Sequence, residues 1–549
     1  MINYNHKIKF GLLFIAVGIG FSCTKLKENL SSTLTNAQVV SSFGSNGPQL
    51  ILSGAYADLT FLAGQDQLFS LEENSSDESL VPTRGGDWDD NGVWRVIHNH
   101  TWNADHGQIL STFNSLNKLN FDATNVLGFN PTPSQAAQAK VLRAFALYYL
   151  LDLYGQYPIR NPGDNLLLAP TVRSGVAGMD SVIADITSSI PNLPAPGNAA
   201  IVNSDVAKVL LMKCYLQKGT IANRAAPTFD PADLARVITL GNGIIASKNY
   251  SYMANYFANF NPTNHSSSEA IWLYPNTSGV STNHAGTEAR WNMTLHYNSF
   301  KAKLGGAGWN GFSTISDFYS SFNTGGGAVT FGPKDTIWDT RLGERTKSDS
   351  ISWKISGIKP GFLVGQQYDG DSTPQKDRKN NPLAFIPAIS PNMIEQGNLL
   401  ELTGIRVVKY APDFSGSGYP YYGGPAGNDL MIFRYPDVVL MVAEAMMRIN
   451  PADPAALVLV NGLRVARGAP VFTTLPLVNP SNVEDPNTLL AERGREFYWE
   501  SFRRTDMLRF GVFLKIWQYK PTDDPKNLVY PIPSQALAAN PNLTQNPGY

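Results

Sequence analysis

The chain has 549 residues, of which 43% are hydrophobic, 11% aromatic and 16% charged, and its formal net charge is -1. That near-neutral balance supplies no long-range field for nucleic acid or acidic lipid, which argues against polyanion binding. The apolar content supports a large buried core, and the aromatic share is too high for a disordered chain.

The N-terminus reads as a targeting segment. MINYNHKIK carries Lys7 and Lys9, FGLLFIAVGIG is an apolar run of eleven residues, and Phe21, Ser22 and Cys23 follow at once. Eleven falls well short of the roughly 20 apolar residues that a permanent membrane-spanning helix needs, so residues 1–22 are expected to be a cleaved signal peptide. Cleavage would leave Cys23 first, in a setting that resembles the lipobox of bacterial lipoproteins. Two or more acyl chains anchor a protein stably, so lipidation at Cys23 would hold this one on a membrane without crossing it. Cys214, in VLLMKCYLQ, then has no intramolecular partner and is expected to be buried. No later run is long and apolar enough to span a bilayer, so the mature body is expected to be soluble.

Residues 77–102, DESLVPTRGGDWDDNGVWRVIHNHTW, read as loop and hold Trp88, Trp94 and Trp102. Asp87, Asp89, Asn91 and Gly92 match the opening of an EF-hand, but the twelfth position is His98 where a bidentate glutamate belongs. At most, Asp87, Asp89 and Asn91 could hold a structural calcium ion. His98, His100 and His106 with Asp105 match a zinc set by residue type alone. Alternating histidines in a polar loop are read instead as surface or ligand hydrogen-bonders.

Helical periodicity follows. GQILSTFNSLNKLN precedes AKVLRAFALYYLLDLYG, in which Leu142, Ala146, Tyr149 and Leu153 repeat at helical spacing, with Val141, Phe145 and Tyr148 on the adjoining row. Gly155 and Pro158 stop that helix. SVIADITSSIPNL comes next, then SDVAKVLLMKCYLQKG with Ser204 as the expected N-cap, then DPADLARVITLGNGIIAS with Asp230 and Pro231 in the cap and first-turn places.

From about 250 to 427 glycine, asparagine, serine and aromatic residues replace the helical pattern. Only ISWKIS and GIRVVKY alternate as strands would. Between Trp272 and Phe322 ten of 51 residues are aromatic, interspersed with Asn276, Asn283, Asn292, Asn298 and Asn310. Flat rings stack on the apolar faces of sugars while Asn, Asp and Arg bond the hydroxyls, so the mixture suits oligosaccharide binding, although many of these rings must also serve as core anchors. Gly306, Gly308 and Gly311 stand in G-x-G-x-x-G spacing, but the preceding FKAKL is no core strand and no βαβ unit surrounds it, so a nucleotide site is not supported. G-x-S-x-G and H-E-x-x-H are absent, and nothing supplies an activated nucleophile.

Helices return near the C-terminus in YPDVVLMVAEAMMRI, DPAALVLVNGLRVARG and DPNTLLAERGREFYWESFRRTDMLRFG. Paired helices of this length suggest a solenoid of the tetratricopeptide kind. The stretch from Glu492 to Gly511 carries five arginines and four acids among twenty residues. Drawn as one helix, it places Tyr498, Ser501, Phe502, Thr505 and Leu508 on one arc and Glu492, Arg493, Glu496, Glu500, Arg503 and Arg504 opposite. Glu500 would pair with Arg503 and Arg504, and Glu496 with Arg493. A general acid needs a raised pKa, which flanking arginines oppose, so Glu496 and Glu500 are read as structural.

These residues also carry a family resemblance. ERGREFYWESFRRTDMLRFG resembles the C-terminal signature of the SusD/RagB family of Bacteroidota outer-membrane nutrient-binding lipoproteins. RAFALYYLLDLYGQYPI, FRYPDVVLMVAEA, VNGLRVARGA and YPIPSQALAANPNLTQNPGY resemble four further family blocks, with small departures at Arg467-Gly468 and Ala536. The resemblance implies a mainly α fold, with four tetratricopeptide-like helix pairs in a superhelix packed against a large irregular, loop-rich ligand-binding subdomain with short strands. The expected division is residues 1–22 as signal peptide, 23–249 as the N-terminal part with a ligand loop at 77–102, and 250–549 as the C-terminal part containing the insertion at about 250–427. It further implies a glycan or oligosaccharide ligand, no catalysis and no cofactor, and a SusC-type TonB-dependent transporter as partner. The implied location is the outer membrane, exposed at the cell surface and held in its lipid through acylated Cys23. Ligand contacts are expected from spans 77–102 and 274–309, with Asp77, Arg84, Trp88, Trp102, Trp291 and Trp309 as the residues of choice. Two alternatives stay open. One is a binder of peptides or other nutrients, as in the RagB branch. The other is a surface glycoside hydrolase, which needs two opposed carboxylates, for which Asp77, Glu78 and Asp87 are the acids at hand.

Overall fold

Helix starts and stops in this chain are set by short-range chemistry. The computed structural model describes residues 46–280, 282, 284–299, 308–322, 339–344, 351–414, 425–521 and 523–549. The signal segment 1–22, Cys23, Asn283 and Gly306 lie outside the described residues. The longer helices are α1 (Gly47–Ala57), α2 (Gly107–Leu127), α3 (Pro133–Tyr154), α4 (Gly175–Ser189), α5 (Ser204–Ala222), α6 (Pro231–Ser247), α7 (Tyr435–Ile449), α8 (Pro454–Ala466), α9 (Leu489–Phe497) and α10 (Arg503–Arg509), with a short α11 (Ser534–Ala539) near the C-terminus. Thr132 and Gln135 close a capping box at the start of α3, and Gly155, at φ 72°, ends it in the left-handed conformation that glycine adopts freely. Asp230 caps α6 and Asp453 caps α8, each ahead of a proline in the first turn. The cap of α5 is Asn203, whose Oδ1 accepts from the Asp205 and Val206 amides, while Ser204 is the first helical residue. The expected cap was one residue late.

Consecutive helices from α2 to α8 pack on one another as a superhelix of pairs, and the pair α6 and α7 is interrupted by residues 248–434. The interruption is stitched at its base, because β4 (Ala270–Tyr274) pairs antiparallel with β10 (Leu430–Arg434). Where α6 meets α7 the backbones come close: a Cβ on Gly241 would lie 2.2 Å from Val442 Cγ2. Inside the insertion the other strands form small ladders, β5 (Gly361–Leu363) with β9 (Arg406–Val408) and β6 (Gly365–Gln366) with β7 (Ala384–Phe385). β8 (Ile394–Glu395) runs parallel to β1 (Thr83–Arg84) and brings the first loop to the insertion. ISWKIS is a short helix, Ile351–Ser356, where alternation suggested a strand, while Arg406–Val408 of GIRVVKY is a strand as expected. Cys214 is buried, and among the described residues no helix is long and apolar enough to cross a membrane.

The charged C-terminal stretch is two helices, not one. α9 ends at Phe497, the backbone turns left-handed at Trp499 (φ 59°) and Ser501 (φ 66°), and α10 starts at Arg503. The break removes the expected pairing of Glu500 with Arg503 and Arg504, while Arg493 and Glu496, both within α9, turn to partners on other segments. Glu492 accepts from Arg341, Arg464 and Arg495, and Glu496 from Arg434 and Arg467 at 2.9 and 2.8 Å. Glu500 accepts from Arg434 and Lys409. Arg503 forks onto both oxygens of Asp77 at 2.6 and 2.7 Å, Arg504 reaches Asp152 on α3, Arg493 reaches Asp437 on α7 and Asp506, and Arg509 reaches Glu444 on α7. Glu492 and Glu496 are 0% exposed, so the face drawn as polar is interior. This stretch therefore joins the helical frame, the first loop and the insertion through buried charge.

Burial alone would push the Glu496 and Glu444 carboxyls up, but Arg467 and Arg434 around Glu496 and Arg509 and Arg448 around Glu444 outweigh it and hold both at about 2. The helical turn Ser70–Asn74 and the first loop that follows it show the opposite. Glu72, buried beside Asp152, is pushed up to about 8. Burial and the neighbouring Glu73 charge raise Glu78 well above the ordinary range, and burial raises Glu73 as well.

Two outcomes follow from these interactions. Replacing Glu496 with alanine strands the buried Arg434 and Arg467 charges and is expected to lower the unfolding free energy by about 3–5 kcal/mol, read from chemical denaturation. A carboxyl whose pKa rises on folding stabilises below its unfolded pKa and loses that contribution as pH climbs through the folded value, while a lowered one loses its contribution as pH falls through the folded value. Glu72 belongs to the first kind, Glu444 and Glu496 to the second. Thermal unfolding across pH should therefore show greatest stability near about pH 5 and a decline toward pH ~9, and Glu72→Gln should flatten the alkaline limb.

Candidate functional site

The first loop turns sharply after β1. The backbones of Arg84 and Asp87 bond to each other, with Gly85 left-handed at φ 69° between them. Trp88 (φ 60°), Asp90 (φ 40°) and Asn91 (φ 56°) continue left-handed; Asp and Asn enter this region more easily than other residues, but a bulky tryptophan there is strained, and such strain persists only where surroundings over-determine it. For Trp88 the surroundings are clear. Its Nε1 donates to the Trp309 carbonyl at 2.7 Å, and its ring meets Trp94 and Phe312 edge-on at centroid distances of 5.5 and 5.4 Å. Gly311 lies beneath it, where an added Cβ would sit 2.3 Å from Trp88 Cε2. Gly308 is equally committed, since a Cβ there would meet the Leu295 carbonyl oxygen at 2.1 Å. Two of the glycines in the G-x-G-x-x-G spacing thus serve close packing of protein on protein.

Beside this lies Tyr297. Its hydroxyl donates to Asp87 Oδ2, and the Arg378 guanidinium sits 4.0 Å from its ring centroid. Arg378 Nε donates to Glu401 Oε1 at 2.6 Å, and the buried His296 holds the other Glu401 oxygen at 2.7 Å. The Asn298 amide donates to His296 Nδ1, so the imidazole proton sits on Nε2, facing Glu401. Burial lowers the His296 pKa and keeps the ring neutral. Burial would raise Glu401, but His296 and Arg378 outweigh it and hold its carboxyl down to about 2. Asp87 is exposed, Trp88, Tyr297, Asn298 and Trp309 are half-buried, and the Arg378 side chain is 51% exposed. The surface joins flat rings to a carboxylate, a carboxamide and a guanidinium, and among the described residues that form it none is a serine, cysteine or lysine nucleophile set against a base.

Of the six residues expected to touch ligand, Trp88 and Trp309 meet at this surface and the other four are interior. Asp77 is buried under the Arg503 fork. Arg84 is spent on the Leu400 and Thr403 carbonyls and on the Thr403 and Ser313 hydroxyls. Trp102 donates to the Tyr549 hydroxyl at 2.7 Å and packs on Tyr530, and Trp291 is 0% exposed. Buried in this way, the four are closed to an outside ligand, and Asp77, Arg84 and Trp102 instead hold loops together. With Asp77 beneath Arg503, it cannot face Asp87 across an open cleft as a hydrolase pair would require. Tyr297 falls in the expected span 274–309 and carries the same ring signal as the tryptophans around it. Arg378 comes from outside both spans, and only the fold brings it here.

Asp87 accepts from Tyr297 and Asp89 pairs with Arg95 at 3.0 Å, so two of the three residues considered for calcium already have protein partners. His98, His100 and His106 are buried rather than at the surface, and each ring bonds separately, to backbone carbonyls or to Asp523. Among the described residues no group of three or more His, Cys, Asp or Glu stands as metal ligands would.

Comparison with known proteins places the chain. Residues 268–549 match the SusD family profile. The starch-binding protein SusD of Bacteroides thetaiotaomicron is 24% identical over 457 residues, covering 78% of this chain and 75% of that protein. A SusD superfamily protein from Parabacteroides distasonis superposes with a TM-score of 0.67 at 17% identity, over 92% of this chain and 99% of the other. Surface glycan-binding protein A from Bacteroides thetaiotaomicron, solved with laminarihexaose, superposes with a TM-score of 0.62 at 15% identity, over 91% and 98%. The profile covers the lattice-bearing helices α7 to α10 and the insertion that carries Tyr297, Trp309 and Arg378, and the mainly α paired-helix frame agrees with it, so this chain belongs to the SusD family.

Proposed function

We propose that the protein is a cell-surface lipoprotein that captures a glycan or its oligosaccharide fragments and delivers them to a TonB-dependent transporter of the outer membrane, with no catalysis of its own. The observation that carries this reading is the convergence of Trp88, Tyr297 and Trp309 with Asp87, Asn298 and Arg378 at one surface. Aromatic faces meet the apolar faces of sugar rings, and the polar groups around them suit the hydroxyls. The relatives named for starch binding and solved with laminarihexaose support the same ligand class. Acylation at Cys23 would keep the binder beside its transporter and raise the local concentration of captured glycan there.

The arrangement also explains why a short loop can bind. The Tyr297 ring is fixed from two sides, by the Asp87 hydrogen bond and by the Arg378 stack, and Trp88 is fixed by Trp309 and Gly311. Little side-chain freedom is left for a ligand to remove.

Calorimetry of the purified protein against starch, laminarin and a panel of neutral and acidic polysaccharides tests the reading. Tyr297→Ala and Trp309→Ala are each expected to weaken binding of the preferred glycan by about tenfold or more. Gly311→Ala, which displaces the Trp88 ring without replacing any residue of the aromatic surface, should weaken it as Trp88→Ala does. Silence across the panel with tight binding of peptides would favour the peptide-binding alternative. Release of sugar from the polymer, abolished by Asp87→Ala, would overturn the binding-only claim.

A further inference from the structure

The β2–β3 hairpin (Gln156–Ile159 with Thr171–Ser174) ends in a tip, residues 161–169, each of them exposed, that carries Leu166, Leu167 and Leu168 in succession. The three are 43%, 77% and 64% exposed. Single leucines on a surface are ordinary, but three in a row at a tip make a contiguous apolar patch that water disfavours. The backbone is arranged to hold them out. Arg160 donates to the Asn165 and Leu168 carbonyls, and the Leu167 and Leu168 amides donate to the side-chain and main-chain oxygens of Asn165. Four polar groups of the leucine turn are therefore satisfied before any partner arrives.

The tip lies at one particular end of the helical frame. A Cβ on Gly128, the residue that closes α2, would lie 3.8 Å from Pro162 Cβ. From Gly128 the chain turns to Thr132, the cap of α3, and Gln135 in the first turn of α3 donates to Gln49 in the first turn of α1. The leucine tip and the start of α1 thus flank the same turn, and Leu50 of α1, 50% exposed, adds to the apolar surface there. This end is also nearly without charge. Across residues 46–57, 123–139 and 161–172 the sequence has Asp164 as its one charged side chain, in a chain that is 16% charged.

We propose that this end of the molecule faces a lipid bilayer, with Leu166, Leu167 and Leu168 entering the boundary between headgroups and acyl chains as a second contact beside the lipid anchor. The inference rests on the acylation of Cys23 proposed above. Lipid is singled out as the occupant by placement, because the chain leads back to that cysteine from the same end of the frame that carries the tip. The 22 residues 24–45 can span up to roughly 75 Å, so an anchor alone leaves the frame free to turn. Leucines that enter the interface would fix which end points down. The apolar zone of a bilayer offers no hydrogen bonds, a demand that the satisfied backbone of the leucine turn already meets. An end almost free of charge enters without the cost of carrying ions into lipid.

An environment-sensitive fluorophore on Leu167→Cys, with Val458→Cys on α8 as the exposed control, reads the contact on vesicles of neutral phosphatidylcholine; Cys214 is buried and stays unlabelled. The mature acylated chain and the same chain with Cys23→Ser are measured side by side, so that flotation with the vesicles reports the anchor and fluorescence reports the tip. On vesicle-bound protein the label at 167 should shift to the blue and be quenched by lipid-borne nitroxide, while the label at 458 does neither. In the Cys23→Ser chain the same shift should appear at millimolar lipid. Adding Leu166→Ser and Leu168→Ser should raise the lipid needed by about fivefold, with the melting temperature unchanged. If the two chains float alike, the anchor reading fails, and the fluorescence of the Cys23→Ser chain still decides the tip. A label at 167 that stays in water on bound vesicles and at millimolar lipid, as it would if the transporter rather than lipid covered the tip, would overturn the proposal, as would equal responses at 167 and 458.

Discussion

The rest of this structure depends on one set of interactions, the buried arginine–carboxylate network centred on α9 and α10. Glu492, Glu496 and Glu500 each accept from at least two cations supplied by other parts of the chain, and Arg493, Arg503, Arg504 and Arg509 each reach acids on other segments. Charges taken out of water are costly one by one and tolerable only when every member is paired, so the network makes sense only as a whole. Its partners lie on α3, α7, α8, the first loop and the insertion. Geometry that satisfies all of them at once fixes how the irregular region sits on the helical frame. The same pairing disqualifies these acids from proton transfer, since arginines hold Glu492 and Glu496 ionised in a dry interior.

The aromatic surface is a consequence of that anchoring. Loops are poor at holding side chains still unless something rigid stands beneath them. Here Asp77 and Glu78 of the first loop are drawn toward Arg503, β1 pairs with β8, and Leu80 bridges to Ser313, so the loop enters and leaves its turn at fixed points. Trp88 then accepts a left-handed backbone because Trp309, Phe312 and Gly311 leave its ring no other place. The result is a rigid platform built from segments that have almost no regular structure of their own.

Much of the frame could be read from residue order. The row of Leu142, Ala146, Tyr149 and Leu153 lies wholly inside α3, and Asp230, Asp453 and Gly155 punctuate helices as their chemistry dictates. The errors have physical causes. A wheel drawn through 492–511 presumes continuous helix, and nothing local announces that Trp499 and Ser501 turn left-handed. The polar arc was then given local partners, because the cations that bury it, Arg341, Lys409, Arg434, Arg464 and Arg467, are far away in sequence. Asp77, Arg84 and Trp102 looked like contact residues for the same reason: a charged or amphipathic side chain in a glycine-rich loop suggests the surface until a distant partner such as Arg503, Thr403 or Tyr549 is known. Alternation in ISWKIS was too short to separate strand from helix. Arg378 could not have been found from sequence, since its role exists only through its place over Tyr297.

Under the proposed function, the late acids scaffold and the loops around Trp88 and Tyr297 bind. Hydrogen exchange of the protein with and without its preferred polysaccharide separates the two most directly. Protection that appears in residues 85–90, 295–299 and 376–379, while 489–509 exchanges equally slowly in both states, is the predicted result. Ligand-dependent protection confined to 489–509, with the loops around Trp88 and Tyr297 unchanged, would contradict it.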